Sequence, residues 1–187
     1  MGMDDPASHA FRGPTPRTRI MFGPAGLLYV YFSYGVHWCA NVVCGPDGTA
    51  SAVLLRAAEP LDGIEAMRSS RWHGQRDLRD RDLCRGPGRL CEAFGVTGTQ
   101  NGTDLTQPGA ALWLADDGAG SGGKVVATLR VGLSRGTASP WRYIVEGSPW
   151  VSPGPRASVA DQAGHPGAGD DGPEPAVTMP VRRPRRL

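Results

Sequence analysis

The stretch YVYFSYGVHWCAN, residues 29–41, carries the side chains with the most evident chemical use. Strand-forming residues flank a Tyr34-Gly35 step, so a tight turn there sets a large aromatic ring at a hairpin tip. Such a ring either folds back onto its own sheet or projects and wedges between stacked bases. Asn41, a poor strand former, sits in the returning strand, where it either satisfies local backbone or faces a ligand. Arg56 lies inside the apolar run AVLLRAAEP and needs a carboxylate, carbonyl or ligand partner, with Glu59 the nearest structural candidate. His9 alone carries little weight. Asp4 and Asp5, just before it, have the chemistry of acid–base groups, but their loop setting predicts solvated acids.

Other chemistries fit poorly. Lys124 is the only lysine and lies beside a run of glycines with no means of losing its proton, which argues against Schiff-base chemistry. There is no P-loop, nucleotide-binding glycine fingerprint or G-x-S-x-G. The cysteines, Cys39, Cys44, Cys84 and Cys91, lack C-x-x-C spacing, and no histidine pair completes a zinc pattern. Neither metal nor cofactor is expected, and the cysteines read as buried free thiols of a reducing compartment. Cys84 and Cys91 share one face if the stretch between them is helical.

The elements that must position these groups follow from periodicity and turn signals. Residues 27–34 and 36–43 read as two strands, and Pro46, Asp47 and Gly48 turn the chain into a third, SAVLLRAAE. Leu61, Ile64 and Met67 fall at helical spacing, which predicts a helix to about Trp72. GPGRLCEAFG predicts another, with Pro87 in its first turn and Gly95 past its end. AALWLA, VVATLRVGL and WRYIVEG are three further strand candidates, and Asp117 to Gly123 is a glycine-rich loop. Short turns between consecutive strands imply antiparallel pairing. The fold class is therefore α+β and strand-rich: a single domain on a curved antiparallel sheet or open barrel, with two or three flanking helices.

A chain of 187 residues fits one such domain plus a tail. The domain is expected over 1–151, and residues 152–187, rich in Pro, Gly and Arg, read as a disordered tail. Net charge is only +2, but 19 of the 20 basic residues are arginines, which suit phosphate contact and stacking; a GC-rich coding sequence favours arginine too. No apolar run of signal-peptide or membrane-spanning length is present, so a cytoplasmic, nucleoid-associated protein without membrane contact is expected. The residues alone thus describe a basic, strand-rich domain with an aromatic tip, suited to nucleic-acid binding.

Taken together, ASHAFRGPTPRTRIMFGPAGLLYVYFSYGVHWCANVV, AVLLRAAEPLDGIEAMR, DLCRGPGRLCEAFGV, RVG and RYIVEGSPWVS resemble, in order, the blocks of the alkyladenine (3-methyladenine) DNA glycosylase family. The likeness covers residues 1 to about 152. It implies a monomeric base-excision-repair enzyme that flips alkylated purines out of double-stranded DNA, hydrolyses the N-glycosidic bond and leaves an abasic site. Tyr34 then resembles the residue that fills the gap left by the flipped nucleotide. His9 and Tyr31 resemble pocket residues that grip the base, and Val131 one whose main chain contacts it. Asn41 resembles the gatekeeper at the purine's minor-groove edge, where guanine carries an amino group. Arg56 resembles the arginine that helps hold the attacking water. Alkylated purines are cationic, which suits electron-rich rings and weakens the glycosidic bond.

The family's general base is a glutamate in a Glu-Ala-Tyr-like segment, which by the resemblance would lie before residue 1, at the third position ahead of Met1. The expectation is therefore a chain called from a late start. General-base help is worth roughly 10²–10⁴ in rate, so activity of the chain as given turns on that group. The alternative readings are a catalytically inactive protein that binds lesions or abasic sites, and a generic RNA- or protein-binding barrel.

Overall fold

The computed structural model describes residues 1–74, 78–116, 118, 120 and 122–154, all within one compact unit. Residues 155–187, most of the expected tail, lie outside the described residues, as do Arg76, Asp77 and Asp117. The architecture is α+β and strand-rich, with few helices and two small antiparallel sheets.

Strands β1 (Leu28–Ser33), β2 (His37–Val43) and β3 (Ala52–Leu54) form the main sheet in sequence order. Tyr29 pairs with Asn41 and Tyr31 with Cys39, so alternation puts these four on one face and Leu28, Val30, Ala40 and Val42 on the other. Both faces are covered. Tyr29 packs with Ala10, Met21 and Ala52, while Leu28, Val30 and Ala40 pack with Cys91, Val96 and Leu105. A sheet buried on both sides needs continuous apolar strands, which is why LLYVYF shows no clean alternation.

The outer edges of this sheet are occupied as well. The Leu28 and Val30 N–H groups donate to Thr103 O (2.8 Å) and Asn101 Oδ1 (2.9 Å), and the Ala52 N–H donates to Met1 O (2.8 Å). Covered edges do not template further pairing.

Helices α1 (Ile64–Ser70), α2 (Asp80–Leu83) and α3 (Pro87–Ala93) pack as a group around Met67, Leu83, Cys84 and Leu90. Arg71, nearly buried, joins them by donating to the Asp82 and Leu83 carbonyls and pairing with Glu92. Pro87 opens α3, where a missing N–H costs nothing. At Gly88 a Cβ would fall 2.6 Å from the His37 ring, so only glycine lets α3 approach the hairpin this closely. Cys84 and Cys91 do not share a helical face, because the chain breaks at Gly86 (φ 143°) and the two thiols enter different cores.

Strands β4 (Val125–Thr128) and β5 (Arg142–Val145) make the second, antiparallel sheet. AALWLA is not a strand: Leu112 packs on the core and the Leu114 N–H bonds Leu105 O (2.8 Å), but among the described residues no neighbouring ladder takes up the rest of its backbone. Strand β3 ends at Leu54, so the predicted strand SAVLLRAAE leaves regular pairing just before Arg56. Among the described residues no helix is long and apolar enough to cross a membrane.

Candidate functional site

The β1–β2 turn is closed by the Val36 N–H donating to Ser33 O at 3.0 Å, with Tyr34 at φ 50° and Gly35 at φ 66°. Two successive positive φ values match the right-handed twist of the flanking strands. Glycine adopts them freely, whereas Tyr34 is the one non-glycine residue with positive φ among the described residues. Tyr34 is 88% exposed. The chain thus holds an aromatic side chain outward in a conformation that costs about 1–2 kcal/mol.

The face of the sheet below the tip carries an aromatic cluster. His9 Nδ1 lies 3.0 Å from the Tyr29 hydroxyl, and the His9 ring meets Tyr31 edge-on at 4.5 Å between centroids. The Arg17 guanidinium sits over the Tyr31 ring at 5.5 Å, a cation–π arrangement on this face. Burial, then the charge of Arg17, lowers the His9 pKa, which keeps the imidazole neutral near pH 7. Burial raises the pKa of Tyr29 and of Tyr31, so both rings remain phenols.

Asn41 is fully buried beside this cluster. Its Nδ2 donates to Tyr29 O at 3.0 Å across the strand pair, while Oδ1 has no partner. The local-backbone role and an unpaired acceptor coexist in one side chain.

His9 is held in place by a segment that sequence reasoning read differently. Asp5 is not a solvated acid: it is fully buried and forms a bidentate ion pair with Arg130, at 2.6 Å to Nη1 and 3.0 Å to Nη2. Its Oδ1 also accepts from the Ala7 N–H at 3.0 Å, and Arg130 further donates to Gly136 O at 2.7 Å. Burial works to raise the Asp5 pKa, but the Arg130 and Ala7 hydrogen bonds outweigh it and hold the carboxyl below its usual range. A carboxylate so engaged is a strut, not a free base. Asp4 is exposed.

Arg56 does not pair with Glu59, which is exposed; the Arg56 Nε is buried without a hydrogen-bond partner. Burial, then the charge of Arg142, lowers its pKa, while Cys39 and Tyr31 act the opposite way, which places Arg56 within electrostatic reach of the aromatic face. Val131 is half-buried on the bend after β4, next to Arg130. Among the described residues it makes no hydrogen bond to His9, Tyr31 or Asn41. The structure therefore gathers His9, Tyr31 and Asn41 on one face of the hairpin that carries Tyr34, with Arg56 within electrostatic reach of Tyr31. No group of three or more His, Cys, Asp or Glu side chains suited to a metal ion occurs among the described residues.

Tyr29, Arg17 and the Asp5–Arg130 pair were not singled out from the sequence. Strand parity was signal enough for Tyr29, which lies two residues before Tyr31. Nothing local connects Asp5 to Arg130, 125 residues away.

An exposed aromatic at the hairpin tip and a buried aromatic cluster on the sheet face make up the candidate site. The family profile for "Methylpurine-DNA glycosylase (MPG)" matches residues 1–149. The chain is 51% identical over 151 residues to a Burkholderia lata protein named "Putative 3-methyladenine DNA glycosylase", covering 81% of this chain and 72% of that one. Proteins of the same name in Agrobacterium fabrum (53% over 149 residues; 80% and 72% covered) and Frankia casuarinae (51% over 166 residues; 83% and 75% covered) are similarly close. The chain belongs to the methylpurine-DNA glycosylase family. Its class is DNA glycosylase, an enzyme of DNA repair with DNA as substrate.

Proposed function

We propose that the protein excises alkylated purines of the 3-methyladenine type from double-stranded DNA by base flipping and hydrolysis of the N-glycosidic bond, without a covalent enzyme intermediate. The observation that carries this reading is Tyr34, 88% exposed and held at φ 50° at the tip of the hairpin whose first strand carries Tyr29 and Tyr31 against His9. In the proposal Tyr34 enters the duplex where the damaged nucleotide leaves, and the extruded base lies against Tyr31 and His9. A cationic purine suits the Tyr31 face that now receives Arg17.

Asn41 acts by occupying space at the purine's minor-groove edge: its amide is anchored on Tyr29 O and cannot retreat without breaking that bond. Arg56, and by resemblance the main chain at Val131, orient water and base. Water loses a proton to a general base as its oxygen bonds the sugar carbon, and the purine departs with the glycosidic electron pair. We assign that base to neither Asp4 nor Asp5, since Asp5 is committed to Arg130.

That commitment also favours a second reading, a protein that binds lesions or abasic sites without releasing base. One experiment separates the two. A duplex containing 3-methyladenine is incubated with this chain and with an N-terminally extended form carrying a glutamate-bearing segment, and free base is measured. Release by either form supports excision. Lesion binding without release by both supports the binder, and no preference for lesion duplex removes both readings.

A further inference from the structure

The sheet face that carries Tyr31 already holds a cation. The Arg17 guanidinium lies 5.5 Å from the centroid of the Tyr31 ring, the same ring that His9 meets edge-on at 4.5 Å. The backbone around Arg17 is fixed by a threonine clasp. The Thr15 N–H donates to Thr18 Oγ1 (2.9 Å), the Thr18 N–H donates to Thr15 O (3.1 Å), and the two hydroxyls are 3.0 Å apart. Thr18 is buried, and Pro14 and Pro16 restrict φ on both sides of Thr15. Arg17 itself is exposed. A rigid root and a solvent-facing arm thus bring the guanidinium to the ring without burying it.

The charge of Arg17 reaches the whole cluster. After burial, it is the cause that lowers the His9 pKa, and it opposes the upward push of burial on Tyr29 and of burial and Cys39 on Tyr31. With His9 neutral, the positive charge at the cluster is that of Arg17, to which Arg56 adds from within electrostatic reach of Tyr31. An aromatic face attracts a cation, but here that attraction is already taken up. A base with a fixed positive charge, brought against Tyr31, must displace the guanidinium or lie within a few ångströms of a like charge. A neutral base of the same shape meets the same crowding without the repulsion. Arginine keeps its charge at any working pH, so this discrimination does not titrate away.

We propose that Arg17 sets the charge selectivity of this site: it holds the Tyr31 face as a resident cation and tilts base binding toward neutral altered purines and away from cationic ones. The proposal rests on the base-flipping reading and adds to it the residue that ranks lesions by charge.

The test is a ratio of two affinities, measured with the full chain by fluorescence anisotropy. One duplex bears cationic 3-methyladenine on a 2′-fluoro sugar, which keeps the base attached. The other bears the neutral isostere 3-deaza-3-methyladenine on the same sugar, and an undamaged duplex is the reference. Arg17→Met and Arg17→Gln, which remove the charge, each raise affinity for the cationic lesion relative to the neutral one about three- to tenfold. Arg17→Lys keeps the charge and keeps the wild-type ratio. Arg19→Met removes an exposed charge two residues on and leaves the ratio unchanged. A lost phosphate contact weakens both lesion duplexes alike and drops out of the ratio. A ratio that stays the same or moves the other way in the Arg17 variants, or an equal shift in Arg19→Met, overturns the proposal while the base-flipping reading stands. If wild type and variants alike prefer neither lesion duplex to undamaged DNA, both fall.

Discussion

Tyr34→Gly separates wedge from scaffold because the two roles predict opposite signs. The left-handed conformation at φ 50° costs tyrosine about 1–2 kcal/mol. Glycine removes that cost but returns about 0.5–1 kcal/mol through the greater freedom of its unfolded chain. Tyr34 is 88% exposed, so losing its ring forfeits little burial. Stability should then stay level or rise by up to about 1.5 kcal/mol. Lesion binding should fall by the stacking lost, about 1–3 kcal/mol, or roughly 5- to 150-fold in Kd. Urea unfolding gives the first quantity, and fluorescence anisotropy on a duplex with a stable abasic analogue gives the second. Arg81→Ala, which removes one exposed charge, is the comparator and should weaken binding less. Equal losses for the two variants, or a stability drop beyond about 1 kcal/mol in Tyr34→Gly, would refute the reasoning.

Asp5→Asn leaves the buried Arg130 without its counter-charge and should cost about 3–5 kcal/mol, lowering Tm by roughly 6–20 °C in a scan at pH 7. Because the folded Asp5 pKa lies below its usual 3.8, its contribution is complete above 3.8 and fades as pH falls through the folded value. The variant's acid-unfolding limb should accordingly be flatter than the wild type's, and identical limbs would count against the strut. Asn41→Ser removes the anchored amide and should relax exclusion of guanine-type bases, read as the ratio of guanine- to adenine-type lesion binding; an unchanged ratio rejects the gatekeeper role. Among the cysteines, only exposed Cys44 should react quickly with a thiol reagent in the native state, since Cys39, Cys84 and Cys91 are buried and burial pushes Cys91 up to about 12. Mass spectrometry of the labelled peptides checks this.

The hairpin was legible in the sequence because its determinants are local. Strand formers over residues 28–43 and a Tyr-Gly step mark a tight turn, and that turn sets the register that brings Tyr31 and Asn41 to one face. The ordered blocks likewise disclosed the family, and Pro87 and the Leu61–Met67 spacing disclosed two helices to within a few residues of their ends. AALWLA misled because its strand propensity met no ladder among the described residues, and the helical condition under which Cys84 and Cys91 would share a face is not met because Gly86 breaks the chain between them. The state of the charged groups came from tertiary structure alone. Asp5 becomes a strut, Arg142 is buried, and the buried Arg56 Nε has no hydrogen-bond partner among the described residues, each set by which distant segments pack around it. Propensity acts over a few residues, whereas burial and ion pairing depend on which distant chain segments arrive, so sequence alone determined the hairpin and the family while the fold decided which charges are matched.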